Sequence, residues 1–182
     1  MKSLLKTTLI ASLFVLLLAI PGLAADLENT LYLDLKDGRV VIEMRPDLAP
    51  QHVKRIKELV RMKFYNGLKF HRVIDGFMAQ TGDPTGTGMS GSGKNLPAEF
   101  SKAPFNRGTV GMARAQSPNS ADSQFFICFA PAHFLNNNYT VWGQVTSGME
   151  YVDQIRKGFG QSGKVNNPDT IIRMQVAADV PQ

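Results

Sequence analysis

The chain has 182 residues, 43% of them hydrophobic and 19% charged, with one cysteine and a formal net charge of +5. These figures exclude a disulfide-stapled miniprotein, a disordered tail and a collagen-like repeat, and they suit one domain able to bury its own core. Lys2 and Lys6 fall in a leader segment; without them the charge is +3, too weak a surplus to predict nucleic-acid or membrane binding.

Residues 1–25 read as a secretory signal peptide. Lys2 and Lys6 form a positive start, Leu9 to Ile20 is an almost unbroken apolar run, and Pro21-Gly22 precedes the small residues Ala24 and Ala25, after either of which cleavage is expected. The run falls short of the ~20 apolar residues that span a bilayer, so no stable membrane association is expected after cleavage. Residues 26–182 then form one domain working outside the cytosol, in the periplasm or, without an outer membrane, secreted. Its only thiol, Cys128, stands inside Phe125-Phe126-Ile127-Cys128-Phe129 and reads as inert core.

Along the mature chain, two alternating segments, Leu31 to Leu35 and Val40 to Met44, flank Asp37-Gly38, which suits a tight type I′ hairpin turn. Val53, Ile56 and Val60 recur at helical spacing within Gln51 to Met62, and Asn66-Gly67 is the expected stop. Phe70 to Ile74 and Phe77 to Thr81 read as strands, followed by a glycine-rich loop from Gly82 to Lys94. Further short strands are expected over Thr109 to Ala113, Gln124 to Phe129 and Thr140 to Val145. Met149, Val152 and Ile155 mark a second short helix ended by Gly158, and Ile171 to Val176 is the last strand. About eight short strands that do not alternate with helices predict a mainly β domain, an eight-stranded antiparallel closed barrel with two helices, since closure removes exposed edges.

Few catalytic constellations are present. Gly88 to Asn95 comes within one residue of a phosphate-cradling G-x-x-x-x-G-K-[ST] loop, but Asn95 replaces the hydroxyl residue and Pro97 interrupts the helix such a loop opens. An ATP-dependent enzyme is therefore ranked far behind. His52, His71 and His133 lack metal-ligand spacing, and no serine sits in a G-x-S-x-G elbow, so neither a metal, a cofactor nor a covalent nucleophile is nominated. Asn138-Tyr139-Thr140 fits a glycosylation sequon and reads as a chance match. What stands out is aromatic and apolar residues interleaved with amides and one arginine. Arg72 alternates onto the face of Ile74, and a strand arginine must reach water or find a partner.

The stretch Phe70-His71-Arg72-Val73-Ile74-x-x-Phe77-Met78-x-Gln80, with Gly111-Met112-Ala113 and Ser123-Gln124-Phe125-Phe126-Ile127, resembles the cyclophilins, peptidyl-prolyl cis-trans isomerases, in their bacterial exported form. The similarity runs from about Leu31 to Val176. The resemblance implies an eight-stranded barrel capped by two helices, and rotamase activity in protein folding without metal or cofactor. It makes Arg72 the catalytic arginine and Phe77, Met78, Phe126 and Leu135 the pocket for the substrate proline ring. Gln80 and Gln124 become polar neighbours of the arginine and of the substrate backbone, and Ala113 lines the adjoining groove. Three rim positions depart from the best-known eukaryotic pattern: Phe134 for a tryptophan, Tyr139 for a histidine and Arg114 for an asparagine. The lost indole N–H implies weak cyclosporin binding. The expected partners are proline-containing segments of unfolded or folding exported proteins, met by a monomer that binds no nucleic acid. A chaperone-like module that grips such segments without catalysis is the alternative.

Overall fold

The computed structural model describes residues 26–181; the signal-peptide expectation falls outside them. Eight strands form one sheet: β1 (Thr30–Leu35), β2 (Gly38–Met44), β3 (Arg72–Ile74), β4 (Met78–Thr81), β5 (Thr109–Met112), β6 (Phe125–Cys128), β7 (Val141–Ser147) and β8 (Arg173–Val176). Two helices accompany them, α1 (Pro50–Arg61) and α2 (Met149–Asp153). The strands pair antiparallel throughout, in the order β3-β4-β6-β5-β7-β2-β1-β8.

Period-2 alternation builds the interior. Leu31, Leu33 and Leu35 of β1 are buried, as are Val40, Ile42 and Met44 of β2, and α1 lays His52, Val53, Ile56, Leu59 and Val60 against the same core. β6 is apolar at every position because both its faces are covered. Phe125 and Ile127 enter the main core, whereas Phe126 and Cys128 join a second cluster with Met78, Phe105 and Leu135. Strands buried on both faces read as continuous apolar runs. Cys128 is fully buried, and burial pushes its thiol up to about 12, in keeping with an inert core residue.

The expected closed barrel is corrected to an open, curled sheet. β3 and β8 are its two ends, and no ladder joins them among the described residues. β3 is three residues long, and the chain opposite it carries Pro168, which has no amide to donate. Isolated bridges, Lys69 with Thr170 and Arg72 with Lys164, cross the opening instead. The first hairpin is also corrected. Leu35 partners Gly38, so the loop is Lys36-Asp37, and neither residue has the positive φ that a type I′ turn needs. Finally, α1 stops before Asn66-Gly67. Lys63 turns left-handed at φ +58°, and its amide and that of Phe64 reach back to Val60 O (2.9 Å) and Leu59 O (3.0 Å), which closes the last turn.

The start of α1 is satisfied from afar. Glu99 accepts from the amides of Gln51 and His52 (both 3.0 Å) and from His52 Nδ1 at 2.6 Å. A carboxylate only accepts, so Nδ1 carries the proton. Burial pushes the imidazole of His52 below its ordinary value and outweighs the opposing pull of Glu99. Burial alone would raise the Glu99 carboxyl, but its hydrogen bonds from His52 and Gln51 hold it below the usual range. Both groups therefore bind protons more readily in the unfolded chain. Stability should be full above the unfolded His value of 6.5 and fall on acidification, first through His52 and then, below 4.5, through Glu99. Thermal unfolding from pH 8 to pH 3 checks this: Glu99→Gln should flatten the loss below pH 4.5 and, with the opposing carboxylate charge gone, keep or deepen the part between pH 6.5 and pH 4.5.

Candidate active site

One row of sheet register assembles the site. Arg72 pairs with Gln80, Gln80 with Phe126, and Phe126 with Gly111, so four residues from β3, β4, β6 and β5 lie side by side. Met78 follows two residues from Gln80 on the same face, as strand alternation requires. Together these strands form one wall of a cavity of about 220 Å³. Its remaining lining comes from Phe77, Ala113, Arg114, Phe134, Leu135 and Tyr139. Of the residues expected from the sequence, only Gln124 stands outside this cavity, and it lines the adjoining one of about 390 Å³ with Gln80, Ala113 and Arg114.

The floor is apolar and the rim mixed. Phe126 and Leu135 are buried, Met78 is 1% exposed, and Phe134 stands 71% exposed with its ring 5.3 Å from that of Phe77. Tyr139 meets Phe126 edge-on at 6.0 Å. Arg114 lies over the Tyr139 ring at 4.6 Å and donates to the carbonyls of Ala115, Gln116 and Asn138. Its guanidinium thus braces the rim.

Arg72 is aimed by a hydrogen-bond chain of fixed polarity. A guanidinium only donates and a carbonyl only accepts, so two amides between them must align head to tail. Arg72 Nη1 donates to Gln80 Oε1 at 3.1 Å, and Gln80 Nε2 to Gln124 Oε1 at 2.9 Å. Gln124 Nε2 then donates to Gly88 O (3.1 Å) and Ser90 O (2.7 Å). Nε of Arg72 is tied to Ser162 O at 3.2 Å, while Nη2 makes no hydrogen bond within the described residues. Nε and Nη1 are thus held on a side chain that lines the cavity, and Nη2 is not engaged by the described residues.

The loop that ends this chain is organised by carboxylates. Asp83, 1% exposed, accepts from the amides of Thr85, Thr87, Gly88 and Ser90, and Asp122 accepts from those of Gly93 and Lys94. The amides that would have cradled a phosphate are engaged by these acids. Burial alone would raise the Asp83 carboxyl, yet the hydrogen bonds hold it down at about 2. Three contributors had no signal in the sequence. Ser162 acts through its backbone, Asp83 through a loop folded around it, and Phe105 by stacking 5.7 Å behind Phe126.

Gly111 makes that stack possible. A Cβ there would stand 2.6 Å from Phe105 Cε1 and 2.7 Å from Phe126 Cζ. Gly111→Ala should displace the Phe126 ring into the cavity and destabilise the fold by ~1–3 kcal/mol, the usual range for overpacking. Urea unfolding together with KM for a proline peptide reads both effects.

Comparisons with known proteins show the family. Residues 30–176 match the family described as cyclophilin type peptidyl-prolyl cis-trans isomerase/CLD. The chain is 58% identical over 170 residues to a probable peptidyl-prolyl cis-trans isomerase of Brucella suis, with 86% of each chain covered. It is 40% identical over 133 residues to peptidyl-prolyl cis-trans isomerase B of Bacillus subtilis, covering 71% of this chain and 92% of that one. Among solved structures it is similar to cyclophilin AquaCyp293 from Hirschia baltica (TM-score 0.76, 26% identity, 86% of this chain and 76% of that one). It is also similar to a Cryptosporidium parvum cyclophilin type peptidyl-prolyl cis-trans isomerase determined in the presence of the dipeptide Ala-Pro (TM-score 0.73, 27% identity, 81% and 98%). An arginine fixed beside an apolar cavity, on this fold and with these relatives, leads to one conclusion: the chain belongs to the cyclophilin-type peptidyl-prolyl cis-trans isomerases.

Proposed function

We propose that this isomerase is exported and accelerates X-Pro rotation in other exported proteins as they fold, with Arg72 as the catalytic residue. The proline ring of the substrate enters the cavity floored by Met78, Phe126 and Leu135, and Phe77 and Phe134 flank it. The observation that carries this reading is the held guanidinium of Arg72 on the wall of an apolar cavity sized for a small ring.

Rotation about the imide crosses ~18–20 kcal/mol because it breaks amide resonance, and uncatalysed it takes tens to hundreds of seconds. In the twisted state the nitrogen is pyramidal and its lone pair localised. A guanidinium hydrogen bond to that nitrogen is stronger in the twisted state than in the planar one, which is the condition for catalysis. An acceleration of ~10⁶ requires ~8 kcal/mol, and one charged hydrogen bond supplies ~1.5–3 kcal/mol. The remainder is assigned to the apolar cavity, which disfavours the more polar planar amide and holds the ring while the preceding carbonyl swings. Proton transfer and covalent chemistry have no part in these steps.

Export rests on residues 1–25, and the positively charged start with its apolar run supports it. Expression of the full chain in a bacterial host tests it. The mature protein should begin at Ala25 or Asp26 and leave the cytosol, whereas an intact N-terminus retained with the cytosolic fraction would contradict export. Cyclosporin should bind weakly, since Phe134 offers no N–H at the rim.

A further inference from the structure

Across Arg72 and Gln80 from the proline cavity lies a larger cavity of about 580 Å³. Four of its lining residues are basic, Lys69, His71, Arg72 and Lys164, and no carboxylate lines it. Arg39, Arg45, Arg61, Arg107 and Arg173 elsewhere each pair with an acid. Lys69, Arg72 and Lys164 enter no ion pair among the described residues.

Two further features are unfavourable for the empty site. Arg72 and Lys164 are directly opposed partners of an antiparallel bridge, a relation in which like charges repel. His71 is 8% exposed, yet neither of its ring nitrogens has a hydrogen-bond partner. Asp83, whose carboxylate charge acts on that ring, already accepts from four backbone amides.

The geometry points to an anion subsite that receives the side-chain carboxylate of an Asp or Glu flanking the substrate proline. The inference rests on the isomerase reading of the adjoining cavity and adds a substrate class to it, prolines with an acidic neighbour. Because the two cavities share Arg72 and Gln80, the acid falls within a few residues of the proline, an extended chain covering ~3.3–3.6 Å per residue. Lys69 and Lys164, both exposed, supply the charge.

Peptides with Glu or Gln at each of the three positions on either side of one proline test the subsite, with kcat/KM read from NMR exchange at low and high salt. At one or more positions Glu should exceed Gln by about three- to ten-fold at low ionic strength, and added salt should shrink that ratio. In Lys69→Gln/Lys164→Gln the ratio should return to about one. Lys164→Glu, a change at an exposed position, should turn the preference toward a Lys peptide. Equal rates for Glu and Gln at every position, with the native protein isomerising both, overturn the subsite and leave the isomerase reading standing. No acceleration of any peptide overturns the isomerase reading itself. A Glu advantage that survives in the double variant overturns the assignment to this cavity.

Discussion

Arg72→Ala should lower kcat/KM for an Ala-Pro peptide by about 100- to 1000-fold, the loss typical when one preorganised donor to a transition state is removed. Binding of the peptide should change by no more than a few-fold, because Met78, Phe126 and Leu135 still hold the ring. Stability should move by less than ~1 kcal/mol. Arg72 is half-buried, makes no ion pair within the described residues, and its truncation leaves Gln80 Oε1 facing the open cavity, where water can replace the guanidinium. The separation of these effects is the content of the prediction. A residue that merely supported the fold would lose stability and binding along with rate.

Phe126→Ala should fail differently. Its ring is 5% exposed, stacks on Phe105, meets Tyr139 edge-on and closes the floor beside Met78. Removing a buried aromatic ring costs ~3–5 kcal/mol, part of it for the cavity left behind. The proline ring would then lie in an oversized space, so KM should rise together with the loss of rate. Denaturant unfolding and separate values of kcat and KM check the two halves. Arg72→Ala moves rate alone and Phe126→Ala moves stability, KM and rate together, which separates chemistry from the container that holds it.

Much of this arrangement was legible in the sequence, for identifiable reasons. Alternation placed β1 and β2, and the apolar run at Phe125 to Cys128 fell within the strand expected over Gln124 to Phe129. A short motif carried Arg72, Phe77, Met78 and Gln80 because all four lie on two adjacent strands or, for Phe77, in the tight turn that joins them, so local sequence is also local space. What was illegible depends on distant backbone. Whether β3 meets β8 is decided by the chain around Pro168, about a hundred residues beyond β3, which no local pattern reports. The role of Asp83 depends on a loop folding back so that four amides converge on one carboxylate. The turn at Lys36-Asp37 differed by one residue from the expected Asp37-Gly38, since the cross-strand register of the buried leucines and valines outranks the preference of a dipeptide. Arg114 lines the cavity as expected, but its donors go to backbone carbonyls, a distinction that residue type cannot make.

The central claim is that the held guanidinium catalyses rotation, where a binding module would only select one isomer. NMR exchange on an Ala-Pro peptide with the protein at a hundredth of its concentration tests this most directly. The account predicts strongly accelerated interconversion with the cis fraction of the free peptide unchanged, and loss of most of that acceleration in Arg72→Ala. Peptide resonances that shift on binding at higher protein concentration while interconversion keeps its uncatalysed rate would contradict it.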